Sequence, residues 1–216
     1  MQWELRLFIL RHGITGEAFK AFRKIPRQGP REQMVPEEEF EAVLHLASPR
    51  LRLAMLLARD AALRRSAIES FTNGNIDFDH GEVFGITKNR QRYRVPMTRR
   101  LRAALADVAF FAAKGEPLIA VMSHNRRPVK ACTILWELKR AQEQCFGDTK
   151  PWSMHDLRRT AARNLYDQTR DIRKVQRLLG HASPVATWWY IGNAGTDLSG
   201  SDLETLYKPP EQEKKA

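Results

Sequence analysis

At 216 residues the chain can form one large domain, or one domain with a smaller appendage, around a core of ordinary size. Lys and Arg number 36 against 25 Asp and Glu, a formal net charge of +11, so a polyanion is the expected partner and nucleic acid the first choice. No stretch approaches the ~20 apolar residues of a membrane span. The start Met1-Gln2-Trp3-Glu4 also lacks a secretory pattern, and Cys132 and Cys145 stand without metal-ligand spacing. The expectation is a cytoplasmic, nucleoid-associated protein with reduced cysteines, no membrane contact, no metal and no cofactor.

In chain order, Trp3 to Arg11 and Gly16 to Lys24 read as two short helices, ended by a linker over Ile25 to Arg31 with its two prolines and glycine. Pro36 opens a helix that turns Phe40, Val43, Leu44 and Ala47 inward. Ser48-Pro49 supplies an N-cap and a first-turn proline for the next, Leu51 to Arg59. A helix over Arg65 to Phe71 follows a turn at Arg64. From Asn75 the period changes to that of strands: Ile76 to Phe78, Glu82 to Thr87 and Tyr93 to Val95, separated by Asp79-His80-Gly81 and by a turn at Asn89-Arg90-Gln91. Thr98 caps a helix carrying Leu101, Leu105, Val108 and Ala112, and Pro128 to Cys145 gives another with Ile134, Leu135 and Leu138 inward. The predicted fold class is mainly α with a small three-stranded antiparallel sheet.

The last third carries the chemistry. Ser153 and Asp156 have the spacing of a capping box for a helix starting near Met154, on which His155 and Arg158 share a face while Leu157, Ala161 and Leu165 form the buried stripe. Taken alone, that pair reads as a basic solvated helix face. The next helix begins at Asp171, buries Ile172, Val175, Leu178 and Leu179, and stops at Gly180, so that His181 either interacts with the helix end or serves a site. Ser183-Pro184 starts a short helix with Val185, Trp188, Trp189 and Tyr190, ended by Gly192. By itself Tyr190 is an ordinary core aromatic, and Lys88 an ordinary phosphate-contacting surface lysine.

Together these strings resemble the tyrosine recombinase (phage integrase) family. Ala62-Leu63-Arg64-Arg65-Ser66 through Asn75-Ile76-Asp77 resembles its "G-L-R-x-S … D-I-D" block, and Thr87 to Pro96 its lysine-bearing hairpin. His155-Asp156-Leu157-Arg158-Arg159-Thr160 resembles "H-D-L-R-H-T", Leu178 to Ser183 "L-L-G-H-x-S", and Thr187-x-x-Tyr190 the nucleophile box. The resemblance runs from Val35 to Tyr190 and implies the catalytic set Arg64, Lys88, His155, Arg158, His181 and Tyr190.

It further implies metal-free breakage and rejoining of double-stranded DNA through a 3′-phosphotyrosine, by a homo-oligomer that is tetrameric on DNA and assisted by DNA-bending proteins. Arg64 and Arg158 would clamp the phosphate, and His155 would accept the Tyr190 proton. Lys88 would protonate the leaving 5′-oxygen, and His181 would bond a non-bridging oxygen. Arg90, Arg92, Arg94, Arg99, Arg126, Arg127 and Arg159 are expected phosphate contacts along the duplex. A type IB topoisomerase or a catalytically silent DNA-binding protein are the alternatives. The family places an acidic residue three after its first arginine, where this chain has Ala67, so Glu69 is a candidate to hold Arg64. Residues 1–34 are expected to be a helical remnant and linker, 35–192 the catalytic domain, and 193–216 a tail whose helix over Asp197 to Tyr207 contacts another protomer. Met1 to Met34 is too short for the family's helical core-binding domain, so a natural minimal version or a fragment is expected.

Overall fold

The computed structural model describes residues 34–86, 92–122, 126, 129, 131–148 and 152–191. The helices predicted over 3–11 and 16–24, the turn at 89–91 and the tail helix over 197–207 lie outside these residues.

Local signals set most of the element boundaries. Helix α1 (Glu37–Leu46) begins after Pro36 and buries Phe40, Val43 and Leu44. Helix α2 (Pro49–Arg59) starts where the Ser48 hydroxyl accepts the Leu51 N–H at 3.2 Å, one of the four donors a helix start leaves free. Helix α3 (Arg65–Glu69) stops two residues before its predicted end, because the backbone passes into a 3₁₀ turn at Asn73–Asn75. Strands β1 (Ile76–Asp77), β2 (Glu82–Ile86) and β3 (Arg92–Pro96) form an antiparallel sheet in the order β1-β2-β3. Its register pairs Ile76 with Val83, Val83 with Val95 and Gly85 with Tyr93. Val83 and Val95 face the core, while Phe84 lies on the other face with the Arg92 and Arg94 guanidinium groups 5.9 and 5.5 Å from its ring centre.

Helix α4 (Arg99–Ala109) is capped by Thr98 and ends before Ala112, which packs on the core from the following turn. Arg100 in its first turn holds the nearly enclosed carboxylate of Asp60 with bonds of 2.6 and 2.7 Å and reaches Glu41 at 2.7 Å, tying α4 to the end of α2. Two charge-assisted bonds to one carboxylate also fix the direction in which α4 leaves. A short helix, α5 (Leu118–Val121), was not expected from the periodicity. Four residues hold barely one turn, yet Leu118, Ile119 and Ala120 are buried.

In α6 (Ala131–Phe146) Ile134 and Leu138 point inward as predicted, but Leu135 is 36 % exposed, since the face available to α1–α3 is narrower than the apolar run. Helices α7 (Met154–Thr169), α8 (Ile172–Leu179) and α9 (Pro184–Ile191) complete the chain's described part. Two cores result. The larger joins α1 and α2 to the sheet, α4, α5 and α6; the smaller, of Ala62, Ala162, Tyr166, Val175, Leu179 and Ile191, packs α7, α8 and α9 together against the turn after α2. Among the described residues no helix is long and apolar enough to cross a membrane, and Cys132 and Cys145 are free.

Candidate active site

The capping box at the start of α7 forms as read. The Ser153 N–H and hydroxyl both donate to Asp156 Oδ2 at 2.7 Å, and the Asp156 N–H donates to Ser153 Oγ at 3.4 Å. That fixes the helical phase, and with it where His155, Arg158 and Arg159 point. The expected stripe is displaced: Met154, Leu157, Ala162 and Tyr166 are buried, while Ala161 and Leu165 are only partly so. The solvated-face reading fails as well. It fails for the arginines and not for His155, which stays exposed: Arg158 is 1 % exposed and Arg159 8 %, because α7 packs against α2, α8 and α9.

A buried guanidinium needs acceptors, and the fold provides backbone carbonyls for Arg158. Its Nη1 donates to the Ala62 carbonyl and its Nη2 to that of Leu179 at 2.7 Å. Both carbonyls come from chain reversals. Ala62 adopts a left-handed backbone, φ 48°, at the end of α2, where a β-carbon costs about 1 kcal/mol relative to a relaxed backbone. The Leu179 carbonyl belongs to the last turn of α8, whose C-cap Gly180 takes φ 58°. The two turns thus orient one arginine and leave its Nε without a partner among the described residues.

Arg64 occupies the N-cap position of α3 without a side-chain capping bond, two residues after Ala62, and its Nη1 is also buried and unpartnered among the described residues. Burial, then the neighbouring Arg158 charge, lowers its pKa. Glu69 does not hold it, since that carboxylate pairs with Arg65 at 3.3 Å one turn away.

Helix α9 carries Tyr190 into this group. The ring centre is 5.1 Å from His155 and 5.0 Å from His181, and the Arg158 and Arg159 guanidinium carbons lie 5.5 and 5.9 Å from it. Two histidines and two arginines thus share one phenol, with Arg64 close enough for its charge to act on both imidazoles. Arg163 on α7 donates to the Ile191 carbonyl at 2.9 Å and so holds the end of α9 one residue beyond the tyrosine.

The geometry constrains the His181 tautomer. Arg158 Nη2 approaches His181 Nε2 at 3.4 Å, and a guanidinium only donates, so Nε2 is the acceptor and Nδ1 carries the hydrogen toward Thr187 Oγ1, 3.2 Å away. Burial first, then the Arg158 and Arg64 charges, push His181 down to about 4 from 6.5, and the imidazole is neutral near pH 7. The fully buried Thr187 hydroxyl both donates and accepts, so it also serves the opposite tautomer, in which Nε2–H points at an anion.

This depression has a stability consequence. Between pH 4 and 6.5 the unfolded chain binds the His181 proton and the folded chain does not, so stability rises with pH across that window and is complete above it. At ~1.4 kcal/mol per unit, discounted for partial exposure, ~1–2 kcal/mol is expected to be lost on acidification. His155 is lowered too, by burial and then by Arg159, and adds in the same direction. Denaturant titrations across this range check it: wild type should weaken toward acid and His181→Asn should show a flatter dependence. Equal slopes would assign the effect to other groups.

Reading by motif missed three parts of the site. The Tyr93 ring is packed between Gly85 and Gly180, where a β-carbon on either glycine would overlap it, and its hydroxyl is buried without a partner among the described residues. Glycine at both positions was the available signal. The Thr187 contact and the Ala62 carbonyl are the other two. Of the expected duplex contacts, Arg92 and Arg94 are exposed beside Phe84, with Arg94 also 3.4 Å from Glu82. Arg126 is engaged by Glu116 and the Phe111 carbonyl. Arg159 is buried against Tyr190 rather than standing on the outer surface. Lys88, Arg90 and Arg127 lie outside the described residues. No group of three or more His, Cys, Asp or Glu suited to a metal ion stands among the described residues.

Known proteins share this architecture. A solved XerA recombinase matches with TM-score 0.64 and 22 % identity over 85 % of this chain and 64 % of its own. A lambda integrase tetramer bound to a Holliday junction matches with 0.64 and 22 % over 90 % and 58 %. The fold is that of the tyrosine recombinases and integrases. Tyrosine recombinase XerA of Thermococcus kodakarensis is 28 % identical over 193 residues, 86 % of this chain and 67 % of that protein. Residues 33–196 match the model of the phage integrase family, and the chain belongs to that family. It spans about two-thirds of the XerA recombinase and less of the integrase.

Proposed function

We propose that this chain breaks and rejoins double-stranded DNA by site-specific recombination, with Tyr190 as the nucleophile. The observation that carries the reading is the placement of one phenol against two imidazoles and two guanidinium groups. Tyr190 Oη attacks the phosphorus and its proton passes to His155, which burial and then the surrounding arginine charges bias toward the neutral, accepting form. The P–O5′ bond breaks as the phosphotyrosine bond forms, and Lys88 protonates the departing 5′-oxygen. Rejoining reverses these steps and needs no external energy source, because the phosphodiester energy is kept in the enzyme link.

Negative charge accumulates on the non-bridging oxygens during attack. The unpartnered Nε of Arg158 and Nη1 of Arg64 are the donors for it, with the Arg158 guanidinium already oriented by the Ala62 and Leu179 carbonyls. His181 joins them through Nε2 in its second tautomer. Residues 35–192 are the catalytic unit, and 193–216 serve contacts between protomers in a tetramer on DNA. The DNA-bound tetrameric integrase supports that assembly, and accessory DNA-bending proteins and a place at the nucleoid go with it.

A duplex nicked close to the cut site tests the chemistry, because the short product strand diffuses away and traps the covalent form. Incubation in chelator should yield a denaturation-resistant adduct with the protein on the 3′ end of the cut strand and a free 5′-hydroxyl. An adduct on the 5′ end, or none with any recombination target of the family, would overturn the proposal.

A further inference from the structure

Arg159 takes no chemical step in the scheme above, yet it is among the most enclosed charged groups of the described residues. It is 8 % exposed, its Nε and Nη1 are buried without a partner among the described residues, and its guanidinium carbon lies 5.9 Å from the centre of the Tyr190 ring. A guanidinium kept from water and left short of acceptors is costly to retain. An arginine meant for the outer phosphates would be held at the surface with its fork in solvent.

We propose that Arg159 acts on the nucleophile: it holds Tyr190 and His155 as a pair and supplies the positive charge that a tyrosinate forming at Tyr190 requires. The inference rests on the reading of Tyr190 as the nucleophile, and it makes Arg159 a positioning residue distinct from the phosphate clamp. His155 and Arg159 flank the same ring, one turn apart on α7, with the His155 ring centre at 5.1 Å. The Arg159 charge is the strongest Coulombic influence on His155 and disfavours its protonation. One cation thereby serves both partners of the proton transfer, keeping the acceptor empty and favouring the donor's anion.

The groups facing this pair must be counted in any pH test. Among the described residues they are Arg64 at the start of α3, Asp156 and Arg158 on α7, and His181 after α8; Tyr93 on β3 stands beside Arg64. Asp156 alone opposes the arginines at His155. Its carboxylate is bound by Ser153 and stays constant in the variants below.

The experiment compares Arg159→Gln and Arg159→Met, which remove the charge, with Arg159→Lys, which keeps it. The His155 imidazole is titrated by NMR in the free protein, and single-turnover cleavage of the nicked duplex is followed from about pH 5 to 9. Both charge-removing variants should raise the His155 midpoint by about one unit and move the acid limb of the cleavage profile by the same amount. Cleavage on that limb should fall about tenfold, with DNA affinity unchanged at fixed salt. Arg159→Lys should retain both midpoints. An unmoved His155 midpoint, or a uniform rate loss at every pH with the salt slope reduced by about 0.9, would make Arg159 an ordinary phosphate contact and overturn the proposal. The free-protein titration needs no cleavage, so it separates failure here from failure of the Tyr190 assignment, which the adduct trap reads.

Discussion

Tyr190→Phe is expected to abolish the covalent protein–DNA adduct while leaving the fold and DNA binding in place. The substitution removes one oxygen and keeps the ring, so the contacts with His155 and His181 and the packing of α9 on the smaller core survive. Arg163 still holds the end of α9 through the Ile191 carbonyl. The loss is then chemical: without the nucleophile, cleavage should fall to background, a decrease on the order of 10⁴-fold or more by analogy with removal of other catalytic nucleophiles. The nicked-duplex trap reads this directly, with a gel-shift titration as the control for binding. An undiminished adduct would transfer the role elsewhere. Among the described tyrosines, Tyr93 is wedged between two glycines and Tyr166 is 9 % exposed against Trp188, so neither is free to reach a phosphate without repacking.

Arg158→Ala should produce the second large effect, and on two quantities at once. The guanidinium is 1 % exposed and answers the Ala62 and Leu179 carbonyls, which become unpaired buried acceptors when it is removed. Two charge-assisted bonds and the space of the side chain together correspond to a stability loss of about 3–5 kcal/mol, measurable as a lower denaturant midpoint. Cleavage should fall by about 10²–10⁴ beyond any loss of folded protein. Arg158→Lys separates the two, since an ammonium retains the charge but not the fork, and its rate should still drop by ~10² with a smaller change in stability.

Arg64→Ala supplies the contrast. Arg64 is only partly buried and its Nη1 has no acceptor among the described residues, so cleavage should fall with little change in the denaturant midpoint. If Arg158→Ala unfolded at the wild-type midpoint and cleaved at the wild-type rate, its part in both the turn and the clamp would be refuted.

The contrast between these two arginines separates what one-dimensional reading determines from what packing determines. Caps, turn residues and apolar period are local, decided by groups within about four positions of each other. That is why Ser48, Thr98, Ser153 with Asp156, Asp171 and Gly180 could be read directly as helix boundaries, and they do bound the helices. The alternation around Val83 and Val95 likewise marked the sheet and its inner face. The ordered strings holding Arg64, His155, Arg158, His181 and Tyr190 were legible for the same reason, as short motifs around each residue, and the fold brings these five together.

Burial is different, because it depends on what the rest of the chain sets against a surface. Arg158 and Arg159 are adjacent and chemically alike, and nothing local separates a clamp arginine from one that flanks the phenol. The difference arises only when α2, α8 and α9 close on α7, offering two carbonyls and the Tyr190 ring to the first and, among the described residues, the ring without the carbonyls to the second. The same long-range packing exposes Leu135 despite its place in an apolar run, diverts Glu69 to Arg65, and wedges Tyr93 between Gly85 and Gly180. Sequence by itself determined the family, most of the described helix and strand boundaries and the motifs that hold the candidate reactive groups. Tertiary structure alone decided their solvation and partners, since the dielectric and the acceptors around a charge are properties of the assembled layers.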